Sequence, residues 1–135
     1  LSYRAHDVAG RPFIFPTTPP TQFEPAAMHA PIDRLLSFAP EAIYLTHYSR
    51  VGDVVTLGAD LHRRLDAIVA IAEGVAGSGE QRHGALKDEL TRFLLAELRA
   101  HGCPLPEGRA LEIWEADLEL DAQGLEVWLD SRQPA

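Results

Sequence analysis

A single cysteine, Cys103, stands in 135 residues. It cannot close an internal disulfide, so covalent cross-linking plays no part in the fold and no oxidising compartment is implied. Pro104 follows it and no metal-type cysteine spacing surrounds it, which makes it an incidental thiol. Basic charge is also scarce: 12 Lys and Arg face 20 Asp and Glu, a formal net charge of −8. A nucleic-acid partner needs a basic face, and an anionic membrane surface needs one too, so both are excluded as expected partners. No apolar run approaches the ~18 residues of a membrane span. No charged-then-apolar signal opens the chain, and the expected location is cytoplasmic. The signatures GxSxG, GxGxxG and the Walker loop are missing, as is any HxH, HExxH or HxxxH pair.

What is present suits one domain with a real core. A chain of this length buries roughly two thirds of its unfolded surface, and 46% apolar with 24% charged residues is ordinary for a globular protein. The acids concentrate late: residues 107–130 hold eight of them against Arg109, which reads as a solvated helix face. The opening LSYRAHD has no cap or turn before it and reads as a chain entered in mid-element, part of something longer.

Residues 1–24 are irregular. LSYRAHD reads as a short strand running to a turn at Ala9-Gly10. PFIFP is an edge strand or extended segment, because proline cannot donate to a ladder. The TTPPTQFEP stretch is a stiff Pro/Thr loop. Pro25 suits the first position of a helix over 25–38, with Met28, Ile32, Leu35, Leu36 and Ala39 on one face and Pro31 as a flaw. AIYL at 42–45 predicts a buried strand covered on both faces. Asp53 is a candidate N-cap for a helix striped by Leu57, Leu61, Leu65, Ile68 and Ala72. Leu86, Leu90, Phe93, Leu94 and Leu98 mark the next helix, stopping at Gly102. Leu111, Trp114 and Leu118, then Ala122, Leu125 and Leu129, carry two further helical stretches with a break near Gly124. Strands this few do not make a stable sheet unaided and need others, from the missing chain or from a partner.

Of the six histidines, His62, His83 and His101 fall on polar faces or helix ends and are expected to be solvated. His29 has no partner at metal spacing. His47 stands apart, at the C-terminal end of the AIYL strand, where layered α/β folds collect ligands. It is there either as a metal ligand or general base, or as a structural histidine bonded to a loop carbonyl.

The run PFIFPTTPPTQFEPAAMHAPIDRLLSFAPEAIYLTHYSRVGD, with LELDAQGLEVWLD near the end, resembles the C-terminal half of the metallo-β-lactamase superfamily of metallohydrolases. The resemblance implies an α/β class, here a partial αββα sandwich with a long, mostly helical C-terminal part. It divides the chain into strands, Pro/Thr loop and helix over 1–52, and helices completing or decorating them over 53–135. It implies that His47 is the last metal-ligating histidine of a site with one or two zinc or iron ions. The HxHxDH motif and a bridging aspartate would lie upstream of Leu1. Tyr48, Thr17 and Thr18 become pocket candidates, although Ser49 stands where many relatives have glycine. The implied activity is hydrolysis of an ester, thioester or amide small molecule by metal-activated water. This chain alone would be incomplete, needing the N-terminal half of the same fold as its partner. The competing expectation is a non-catalytic, mostly helical interaction or dimerisation module in which His47 is structural.

Overall fold

A computed structural model describes residues 3–21, 23–46 and 48–132, with the backbone alone over 3–7. Strands β1 (Tyr3–Val8) and β2 (Arg11–Pro16) form an antiparallel hairpin with Tyr3 opposite Pro16 and Val8 opposite Arg11. The turn between them places Ala9 and Gly10 at positive φ. Helix α1 (Pro25–Ser37) follows, with Pro25 in its first turn, where its missing N–H costs nothing. Pro31 lies inside α1 without ending it, between the buried Met28 and Ile32. β3 (Ile43–Tyr44) and β4 (Arg50–Val51) make a two-rung antiparallel pair. Then come the long helices α2 (Val54–Val75), α3 (Arg82–His101) and α4 (Glu107–Ser131), with one 3-10 turn at Gly79–Gln81 before α3. Gly102, at φ 90°, ends α3: its N–H and that of Cys103 turn back to the Arg99 and Leu98 carbonyls.

The expected α/β class, a partial αββα sandwich, is not what the chain builds. Helices hold most of the described residues, and the strands form two separate two-stranded pairs. AIYL contributes only two strand residues, and Tyr44 is 78% exposed, so no strand there is covered on both faces. The physical reason lies in where the apolar surface goes. From residue 54 onward it recurs at helical spacing, and Leu57, Leu61, Leu65, Ile68, Ala72, Leu86, Leu90, Leu94 and Leu98 are all buried on the inner faces of α2 and α3, with β2 packed against α2. One hydrophobic core runs from Val8 and Phe13 through Val51 to Leu129, continuous across residues 52 and 53.

β2 lies deep in that core, with Phe13, Ile14 and Phe15 buried. Phe13 and Phe15 meet Trp114 of α4 edge-on at 5.9 and 5.7 Å. Arg64 of α2, 3% exposed, lies 4.4 Å above the Phe13 ring and donates to the Ile14 carbonyl at 2.7 Å and to Glu97 at 2.8 Å. Its buried charge is thereby paired and its donors used, as a buried guanidinium requires. Arg63 also holds Glu97, at 2.6 Å. That hydrogen bond, with the one from Arg64, keeps the Glu97 carboxyl below its ordinary range.

Candidate functional site

Among the described residues, chemistry-bearing side chains come together at several places. The first is the seat of the Pro/Thr loop. Thr18 is fully buried; its N–H donates to Asp121 Oδ1 at 2.7 Å, and its hydroxyl reaches the Asp121 carbonyl at 2.9 Å and Oδ1 at 3.2 Å. Asp121 is itself 2% exposed and its Oδ2 has no hydrogen-bond partner. Burial pushes the Asp121 carboxyl up to about 7, against the opposing pull of the Thr18 hydrogen bonds. One turn on, Gly124 lies under the Thr18 carbonyl so closely that a Cβ there would stand 1.6 Å from that oxygen. The expected break at Gly124 does not occur: α4 runs straight through it. The glycine is there for the approach of the loop.

Of the pocket candidates, Thr18 therefore presents no surface to a substrate, and Thr17 beside it is half-buried. Tyr48 is exposed in the turn between β3 and β4, where the Leu45 N–H donates to the Ser49 carbonyl at 3.0 Å. His47 falls in this turn in the sequence and lies outside the described residues. Among the described residues no group of three or more His, Cys, Asp or Glu side chains is placed to hold a metal ion.

The second place is the crossing of α1 and α2. His29 Nδ1 and His62 Nδ1 stand 2.6 Å apart. The other ring nitrogen of each meets a carboxylate on the opposite helix: His29 to Asp66 and His62 to Asp33, both at 3.0 Å. The third is on α3 and α4, where His83 lies between Glu126 at 2.8 Å and Glu119 at 3.2 Å. The Glu126 hydrogen bond raises the His83 pKa above its ordinary value, so that contact is strongest on the acid side and fades as pH rises. His62 and His83 are thus paired rather than simply solvated. His101 packs its ring 5.3 Å from Phe13.

Local spacing in the sequence reveals none of the three, because their partners lie on different elements. A weak signal existed: HxxxD occurs at 29–33 and again at 62–66, which puts each histidine and its aspartate on one helix face. Compared with known proteins, the chain matches no family model, no curated protein and no solved structure.

An apolar cleft of about 50 Å³ opens beside the α1–α2 crossing, lined by Ile32, Leu36, Ile43, Val51, Leu57 and Leu61. It has room for a few water-sized groups. Around it the surface is unusually apolar for an exposed region: Phe38 is 71% exposed, Tyr44 78% and Val55 75%. These side chains belong to the end of α1, to β3 and to the start of α2, the three elements that flank the turn carrying Tyr48.

Proposed function

We propose that this chain is the C-terminal part of a metal-dependent hydrolase related to the metallo-β-lactamase superfamily, acting on an ester, thioester or amide. His47 contributes one metal-binding nitrogen, and the remaining ligands come from polypeptide outside these 135 residues. The observation that carries this reading is the unfinished surface at β3–β4. Two rungs of pairing do not sustain a sheet; Tyr44 in one rung is exposed, as are Phe38 at the end of α1 and Val55 at the start of α2. An exposed apolar patch marks a surface that meets another polypeptide segment or a ligand. The sequence around it, from the Pro/Thr loop through Thr46-His47, is the stretch that carries the family resemblance.

The long helices then serve as a scaffold. Thr18, Asp121 and Gly124 pin the Pro/Thr loop to α4, and β2 anchors the hairpin in the helical core. Zinc titrated into this chain alone is expected to bind weakly, since one imidazole does not hold the ion against water. Isothermal calorimetry reads this directly, and one-to-one binding at nanomolar affinity would contradict a site divided between two parts of a protein.

A further inference from the structure

The α1–α2 crossing carries an arrangement whose proton content is fixed by its geometry. The ring centroids of His29 and His62 are 4.9 Å apart and the rings are within 6° of parallel. With an Nδ1–Nδ1 contact of 2.6 Å, centroids this far apart require both nitrogens to lie on the line between them. The two imidazoles are therefore edge to edge in one plane, the alignment of a straight N–H···N hydrogen bond. A metal fits this poorly. Zinc bonded to both nitrogens at about 2.0–2.1 Å with a tetrahedral angle would hold them more than about 3 Å apart.

The protons can be counted. Both Nε2 atoms face a carboxylate oxygen, so both must carry hydrogen to donate. The Nδ1–Nδ1 contact needs one hydrogen and one lone pair. The three bonds together need three ring protons. Two neutral imidazoles carry two, and two imidazolium rings carry four. The chain Asp33–His62–His29–Asp66 is complete only when the pair holds one proton beyond neutrality, with a single positive charge shared between two aspartates. With one proton fewer, a bond in the chain is lost. With one more, two N–H groups point at each other across 2.6 Å.

We propose that His29 and His62 form a one-proton latch between α1 and α2, closed over a middle range of pH and released on either side of it. Asp33 of α1 and Asp66 of α2 are the charged groups that face the pair. On the other side of α2, α3 presents Glu97 to Arg63 and Arg64, and β2 presents the Ile14 carbonyl to Arg64. Ile32, one turn from His29 on α1, and Leu61, next to His62 on α2, line the apolar cleft. The protonation state of the latch thus sets how firmly α1 closes that cleft, whatever the activity of the protein.

The experiment is a pH titration of this chain with nitrogen-15 in the histidine rings, followed by NMR. The latch predicts that over a middle range of pH a nitrogen–nitrogen coupling connects His29 Nδ1 with His62 Nδ1 through the shared proton, and that the coupling is lost on either side of that range. Hydrogen-exchange protection of residues 32–36, corrected for the intrinsic exchange rate at each pH, is greatest within that range and roughly fivefold lower outside it, the effect of one lost hydrogen bond. In His62→Gln the coupling disappears. Absence of the coupling at every pH in the unsubstituted chain would overturn the proposal even if the substituted chain does not fold. Zinc that binds the pair at neutral pH and replaces the shared proton would overturn it as well.

Discussion

Replacing Gly124 with alanine is expected to cost more stability than any other single methyl group added to the helices. The new Cβ would stand 1.6 Å from the Thr18 carbonyl oxygen and 2.6 Å from its carbon. Neither is the end of a flexible side chain that can turn aside. The oxygen belongs to a backbone held in place by Pro19 and by three hydrogen bonds to Asp121. The loop must lift from α4, which exposes Thr18 and leaves Asp121 without its donors. Overpacking of this kind costs ~3 kcal/mol or more, roughly a 10 °C fall in Tm for a chain of this size. Helix propensity alone would give the opposite sign, a gain of up to about 1 kcal/mol. Gly108, in the first turn of the same helix, has nothing within 4 Å of an added Cβ and is the internal control. Thermal melts of Gly124→Ala and Gly108→Ala should therefore move apart. Equal melting temperatures would show that the loop does not press on α4.

Asp121→Asn is expected to remove most of the pH dependence of stability between about pH 4 and 7. The folded carboxyl titrates near 7 because burial disfavours its charge, whereas an unfolded aspartate titrates near ~3.9. Between these values the folded state holds a proton that the unfolded state has released. Stability therefore falls as pH rises through this window and levels off above about 7, a total on the order of 3–4 kcal/mol. The unpartnered Oδ2 is the structural cause: as a neutral acid it is tolerable, and as an anion it has no donor to meet it. Asparagine keeps a carbonyl oxygen for the Thr18 N–H and never charges. Urea melts at pH 5 and pH 8 check this. From pH 5 to pH 8 the chain should lose more stability than Asp121→Asn, which keeps the histidine contributions, and the same slope in both would show that the carboxyl is ionised throughout the window.

The helices were legible because their buried residues obey one period. Leu57, Leu61, Leu65, Ile68 and Ala72 were assigned to one face and all are buried, as are Leu86, Leu90, Leu94 and Leu98. The strand at 42–45 was misjudged because a four-residue apolar run carries no period of its own, and only Ile43 and Tyr44 pair. Gly124 was misread as a break because its reason lies more than a hundred residues away, in the backbone of Thr18. Asp121 left a trace that went unused. It falls one turn after Leu118 and directly before Ala122, on a buried stripe where a carboxylate needs an explanation. The His29–His62 contact was out of reach of local spacing, since each histidine's nearest partners come from the other helix.

The central claim is that this chain supplies one metal ligand, His47, to a hydrolase completed by other polypeptide. Metal analysis and hydrolysis assays on this chain together with whatever polypeptide its gene encodes before Leu1, with His47 and with alanine in its place, test it most directly. The account predicts a metal-loaded hydrolase that loses bound metal and nearly all activity toward ester or thioester substrates when His47 is replaced, while its helical melt is preserved. Unchanged metal content and unchanged hydrolysis in His47→Ala, or a protein that holds no metal at all, would contradict it and leave the chain as a helical interaction module.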